Sequence, residues 1–186
     1  MQQVKGAVLK TRMAFVRDLA GERGVQTVLG SLSQEDQQAL KAILTVKWYP
    51  FDLGKRLDAA IVHVVGKGDR RFFERLGIAS AEKNLSSIHQ SFLTKGNPHG
   101  FLGKAGVIYE LYYETGHRTY ERVGDREAEL TTHDAETYST ADCSTVIGWY
   151  RKAMEMCGAR GVEIAEERCR ARGDAVCRYR ISWEAP

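Results

Sequence analysis

The sequence predicts an α+β protein: an N-terminal helical layer packed on a small antiparallel sheet, ending in a helix and a β-hairpin. Three observations point there. Apolar residues recur at helical spacing through roughly the first 95 positions. After residue 100 the pattern changes to short segments broken by glycine turns. Helical spacing then returns over 140–158, ahead of two final alternating runs. With 186 residues, 43% apolar and 27% charged, the chain can bury one sizeable core and reads most simply as a single domain over 1–186. Its helical part runs to about residue 95 and its α/β part from about 100 to 186.

Residues 4–19 carry Val8, Leu9, Phe15, Val16 and Leu19 at three-to-four spacing, which predicts a first helix stopped by Gly21. Residues 25–29 predict a short second helix. Ser33 ahead of Glu35 and Asp36 is a helix-start signal, and Leu40, Ile43 and Leu44 supply the apolar stripe. Pro50 disfavours helix at the residue before it, so Trp48, Tyr49 and Pro50 predict a break. Leu53, Leu57, Ala60, Ile61, Val64 and Val65 predict an amphipathic helix ending at Gly66. Residues 69–92 read as helix in two pieces, and the KGNPHG run at 95–100 as a loop. Residues 107–113, 118–123 and 126–132 read as strands, with Gly116 and the pair Gly124 and Asp125 as turns. Val146, Ile147, Tyr150 and Met154 place a helix over 140–158, and residues 161–166 and 175–183 form the terminal hairpin.

Composition removes several function classes. Lys and Arg number 27 against 24 Asp and Glu, a net +3 with both signs interspersed, so no nucleic-acid partner is expected. No apolar run approaches the ~18 residues of a membrane span. The opening MQQVKGAVLKTR lacks the apolar region and cleavage site of a signal peptide, so a cytoplasmic location is expected. No phosphate loop, Ser/His/Asp arrangement or dinucleotide fingerprint is visible. No catalytic residue is assigned, and the chain is expected not to be an enzyme.

All four cysteines, Cys143, Cys157, Cys169 and Cys177, lie beyond residue 142. In a reducing compartment such clustering favours a metal or redox site over a disulfide framework. Cys169 and Cys177 fall on the two limbs of the hairpin, with Gly173 and Asp174 in its turn. Cross-strand partners approach to about 4.5–5.5 Å between Cβ atoms. Cys143 falls in the first turn of its helix, where the N-terminal dipole favours the thiolate. With Glu166 these residues offer sulfur and oxygen donors at the roughly 2.0–2.3 Å of tetrahedral zinc. Strand parity sets a condition: Glu166 shares a face with Val162 and Ile164, and Cys169 falls on the other. The two converge only where the strand bulges or ends between them. Cys157 is an alternative third thiol. The competing reading is four thiols packed as small hydrophobes.

The series Cys143, Gly148, Glu166, Cys169, Gly173 and Cys177 resembles the 4-vinyl reductase domain. It is also similar to the sensor domains of phenol-responsive bacterial transcription activators. Those sensors hold zinc with a Cys at a helix start, a Glu-x-x-Cys and a Cys eight residues later; the spacings here are 23, 3 and 8. The resemblance covers about residues 100–186 and implies a structural zinc on Cys143, Glu166, Cys169 and Cys177. Ser144 and the run Gly148, Trp149, Tyr150 depart from the phenol sensors, whose aromatic-binding His and Trp have no counterparts, so phenol is not implied. At the other end, VKGAV over 4–8, a helix and then Gly21 resemble the opening of heme NO-binding domains. These share a broad superfamily with the 4-vinyl reductase domain and the Golgi-transport TRAPP subunits. The whole chain most resembles bacterial paralogues of that superfamily, which implies a ligand-binding fold, often dimeric, without demonstrated chemistry.

A heme reading takes His89, in SIHQSF, as the axial ligand. The Tyr-x-Ser-x-Arg propionate clamp of heme NO-binding domains is degenerate here, as Tyr113, Thr115, His117 and Arg118, so heme is not expected. Arg168, Arg170, Arg172, Arg178 and Arg180 crowd the hairpin. Without an aromatic stacking platform they read as a solvated face that offsets a zinc-thiolate charge. Trp48, Phe72, Tyr109 and Tyr112 are the candidate lining of a ligand pocket. The expectation is a cytoplasmic, non-enzymatic sensor or adaptor with a structural zinc. Its partners would be a small apolar ligand and a second copy or another protein. The alternatives are a TRAPP-like dimerisation module without ligand and a heme-based gas sensor using His89.

Overall fold

The computed structural model describes residues 2–69, 71–87, 89–136 and 138–184. Strand β1 (Gln3–Lys5) feeds α1 (Gly6–Gly30), which does not stop at Gly21 but bends there, at φ +66° and ψ −174°. Only glycine takes that conformation without strain. The second arm of α1 buries Val25, Val28 and Leu29, so the two expected helices are one bent element. Helix α2 (Gln34–Lys41) starts as predicted, with the Ser33 hydroxyl accepting from the Asp36 N–H at 3.1 Å. The Trp48 break is β2 (Trp48–Pro50), antiparallel to β1. Helices α3 (Phe51–Val64) and α4 (Phe72–Leu85) follow, then a 3-10 turn at Gln90–Phe92.

Helix α5 (Pro98–Leu102) begins inside the expected loop, with Pro98 in its first turn and the Asn97 side chain capping Gly100 N–H. Residues 107–113 are not a strand. They continue from α6 (Ala105–Glu110), whose Ile108 and Tyr109 are buried while Val107 is 57% exposed. The remaining order is β3 (His117–Gly124), β4 (Glu127–His133), α7 (Thr140–Met156), β5 (Arg160–Arg168) and β6 (Cys177–Glu184). These four strands form an antiparallel sheet in the order β3-β4-β6-β5. The architecture is α+β, a helical layer on a small antiparallel sheet.

Two apolar clusters form the interior. One gathers Val4, Leu9, Val16, Leu57 and Ile61 among α1, α3 and β1. The other gathers Leu130, Tyr150, Met154, Tyr179 and Ile181 between α7 and the sheet. Each fully buried aliphatic side chain contributes about 1.5–3 kcal/mol. Helices α4 and α7 touch backbone to backbone. A Cβ on Gly77 would lie 2.1 Å from the Thr145 carbonyl oxygen, and one on Gly148 would lie 2.0 Å from that of Glu74. Among the described residues no helix is long and apolar enough to cross a membrane.

Candidate functional site

Two sites emerge, one in the hairpin and one beneath the tyrosines. Strand β5 breaks register between Glu166 and Arg168 and then ends, so Cys169 leaves the strand and meets the condition set by parity. A 3-10 turn at Arg170–Arg172 and left-handed Gly173 return the chain to β6, where Cys177 begins the buried face shared with Tyr179, Ile181 and Trp183. The Asp174 carboxylate accepts from Cys169 N–H at 2.7 Å and closes the turn. Cys143 projects from the first turn of α7, whose cap is Ser139.

The Sγ atoms of Cys143 and Cys177 lie 3.8 Å apart, those of Cys143 and Cys169 3.6 Å. Ligand atoms of Cys143, Glu166, Cys169 and Cys177 all fall within 4.8 Å of one another. Tetrahedral zinc at about 2.3 Å from each sulfur sets them about 3.8 Å apart. Glu166 splits its carboxylate: Oε2 accepts from Arg172 at 2.8 Å, while Oε1 is buried with no hydrogen-bond partner. Arg170 N–H donates to the Cys177 sulfur at 3.3 Å. The hydrogen bond from Cys143 brings the Cys177 thiol down to about 7. Cys157 takes no part. It caps the far end of α7, fourteen residues or about 21 Å along the axis from Cys143. Three of the five hairpin arginines are paired with acids, Arg172 with Glu166, Arg178 with Glu129 and Arg180 with Glu127, while Arg170 donates to the Ala175 carbonyl at 2.8 Å.

The second site is a small cavity of about 70 Å³ that opens to solvent. Helix α1 contributes Val8, Thr11 and Arg12; α4 contributes Leu76, Ser80 and Asn84, one face at four-residue spacing. Tyr109, Tyr112 and Tyr113 form another wall, Arg118 reaches in from β3, and Asp142, Val146, Trp149 and Tyr150 come from α7. Of the expected lining residues, Tyr109 and Tyr112 are here. Phe72 instead sits in the N-terminal core edge-on to Phe15, and Trp48 lies under Lys5 on β2. The sequence offered only size and aromaticity for those two; core packing used Phe72, while half-buried Trp48 lies under the Lys5 ammonium outside both apolar clusters.

Arg118 is buried. Its Nε donates to Thr132 Oγ1 at 2.9 Å, and its guanidinium lies 5.0 Å from the Tyr109 ring centre, 5.4 Å from Tyr150 and 5.9 Å from Tyr179. Among the described residues it has no carboxylate partner. Arg12 contrasts with it, forming a two-pronged pair with Asp58 of α3 and reaching Asp142 at 3.4 Å. The Tyr113 hydroxyl donates to Asp142 at 2.8 Å. The Tyr112 hydroxyl is buried beside Asn84 without a hydrogen bond of normal geometry, and burial pushes it up to about 12. His89 stands against the Tyr112 ring at 5.9 Å, outside the cavity wall, and burial lowers its pKa. Of the degenerate clamp residues, Tyr113 and Arg118 reach the cavity, while His117 is exposed on β3, stacked with His133. Arg12, Asp58 and Asp142 were missed as a group. The available signal was a charge on each apolar stripe, Arg12 between Leu9 and Val16 and Asp58 beside Leu57 and Ile61.

Fold and cavity together define a mixed helix-and-sheet module with an aromatic-lined cavity between its helices and sheet. The particular fold is that of H-NOX domains. A mutant H-NOX from T. tengcongensis matches with a TM-score of 0.71 at 17% identity, covering 98% of each chain. A mutant Fe(II) unliganded H-NOX protein from K. algicida matches at 0.73 and 12% identity, covering 97% of this chain and 96% of that one. An H-NOX protein from S. oneidensis in the Fe(II)NO ligation state matches at 0.70 and 14% identity, covering 97% and 99%. No protein-family model matches the chain, and no curated protein does. The likeness supports the heme NO-binding part of the sequence resemblance and does not confirm its 4-vinyl reductase and TRAPP parts. It also corrects the expectation that heme has no place here. The full-length neighbours are structures of a family described by its heme, and the weakened clamp motif had argued too strongly against it.

Proposed function

We propose that this chain is a non-catalytic sensor module that holds a heme-type ligand in the tyrosine-lined cavity. The observation that carries the reading is Arg118, a buried cation lining an aromatic cavity with no carboxylate partner among the described residues. Burying a charge without a counter-charge is costly, and a ligand carboxylate offsets that cost through a charge-assisted hydrogen bond. A flat, apolar ring bearing carboxylates meets both the walls and the arginine. Heme, when bound, supplies an iron that takes up diatomic gases. Arg118, oriented by Thr132 and Tyr150, would hold the carboxylate; Leu76, Val146 and Trp149 would cover the ring and exclude water. Tyr112 lines the cavity and would face the ring, whereas His89 stands behind the Tyr112 ring, outside the cavity wall.

The test is titration of the purified chain with hemin and, separately, metal-free protoporphyrin, followed by absorbance. Wild type is expected to bind both. Arg118→Leu should weaken both by about 10- to 100-fold, the worth of a hydrogen bond to a charged group. Tyr112→Phe should alter the hemin spectrum alone, and His89→Ala should leave it unchanged. Failure of the wild type to bind either compound overturns the reading.

The hairpin cluster supports a second reading, that it holds one thiophilic divalent ion, zinc by its donor set, as a closed structural clip. The buried, unpartnered Glu166 Oε1 and sulfurs already at tetrahedral spacing support it. Three sulfurs and one oxygen fill four positions, so the clip leaves none open for substrate. Metal analysis with thiols counted before and after chelation tests this. About one ion per chain, with thiols exposed on its removal, is expected; no metal and four thiols freed only by unfolding would mean packing alone.

A further inference from the structure

We infer that a groove in the elbow of α1 is the mouth of the cavity and admits an anionic ligand past Thr11 and Asn84. The inference rests on the reading of the cavity as a carboxylate-binding site. The groove has a volume of about 600 Å³, open to solvent, between the two arms of α1, α2 and the end of α4. Thr11 and Asn84 line both the groove and the cavity, so the two concavities meet at those side chains. The bend at Gly21 creates the space by swinging the second arm of α1 away from the first.

The rim selects by charge. Lys10, Lys41 and Lys83 line the groove, and none has an ion pair among the described residues. Its one acid among the described residues, Glu22, is tied to Arg17 on the same helix. A ligand carboxylate therefore meets free ammonium groups outside and unpaired Arg118 inside, with the Thr11 and Asn84 neck between them. The alternative wall is closed: Gly77 and Gly148 lock α4 to α7 at backbone contact, leaving no room for a seam there. The α1–α4 seam has no such lock. A rim of one sign beside low-dielectric walls raises association rates by 10- to 1,000-fold, an effect that salt removes.

Stopped-flow fluorescence of protoporphyrin with the full chain tests the route. Wild-type association is expected to slow about tenfold or more as salt rises, in line with the lower end of electrostatic steering. The triple variant Lys10→Glu, Lys41→Glu, Lys83→Glu should associate about tenfold more slowly at low salt, lose the salt dependence and keep the wild-type dissociation rate. Thr11→Trp, which fills the neck, should slow association and dissociation together. A triple variant with wild-type rate and salt dependence overturns the route while leaving the cavity reading intact. Absence of any porphyrin signal in the wild type removes both, and the two failures are thereby told apart.

Discussion

A buried guanidinium needs a partner, and Arg12 and Arg118 meet that need in different ways. Arg12 spends its charge on Asp58 and Asp142 and is a structural element; Arg118 has rings and hydroxyls around it and keeps its charge available. The same contrast separates the cysteines. Cys157 packs at the end of α7, whereas Cys169 is 0% exposed between two other sulfurs and an unpartnered carboxylate oxygen. Cys169→Ala therefore tests the clip at single-residue scale. If a metal couples to folding, the variant loses several kcal/mol in urea unfolding, well beyond the ~2 kcal/mol of a small core truncation. Chelator should lower the wild type to the variant's stability and leave the variant unchanged. A loss near 2 kcal/mol that chelator does not reproduce would identify a packed thiol.

At the scale of elements, the decisive contact is the one between α4 and α7, which brings Leu76, Ser80 and Asn84 opposite Val146, Trp149 and Tyr150 across the cavity. Gly148→Ala sets a methyl 2.0 Å from a carbonyl oxygen of α4, and two backbones must part to admit it. Overpacking of this kind costs typically 1–3 kcal/mol and more where backbone resists, so a loss above about 2 kcal/mol is expected. Gly30→Ala, at the end of α1 with nothing within 4 Å, should instead be neutral or stabilising by up to about 1 kcal/mol. Equal losses at both positions would mean that helix propensity, not close approach, governs the first. Elements with one dominant signal were legible in the sequence: the Ser33 cap, the alternation of β6 and the amphipathic stripe of α3. Helix α6 was not, because Val107, Ile108 and Tyr109 have strand-like side chains and only tertiary burial reveals a helical period. Cys169 and Cys177 were legible because their spacing across one turn is local, whereas Cys143, 26 and 34 residues away from them, was reached through the family spacing. The cavity was only half legible, since Tyr109 and Tyr112 lie on one segment while Arg12, Asn84, Arg118 and Asp142 come together through long-range packing.

Across the whole molecule, two apolar clusters are joined by one buried polar network, Arg12 of α1 with Asp58 of α3, Asp142 of α7 and the Tyr113 hydroxyl. It holds the N-terminal helices against the half that carries the sheet, at the edge of the cavity. Removing the cation leaves Asp58 buried without a counter-charge and Asp142 with only the Tyr113 hydroxyl, and breaking such a pair costs about 3–5 kcal/mol. Arg12→Met is thus expected to destabilise the chain by that amount near neutral pH. The loss should depend on pH. Burial already raises the Asp58 pKa, and Arg12 is what opposes that rise. Without Arg12 the folded state binds more protons than the unfolded chain between the unfolded carboxylate value of about 3.9 and the raised folded value. Stability of the variant should therefore fall as pH rises through that window and recover as pH drops toward 5, narrowing its gap to the wild type. Adding Asp58→Leu to Arg12→Met removes one of the stranded charges and should return part of the lost stability. Urea unfolding of the three chains at pH 5 and pH 8 measures both effects. A gap that is the same at both pH values, and unchanged by Asp58→Leu, would show that Arg12 acts through the packing of its methylenes and that the two halves are held together by apolar contact alone.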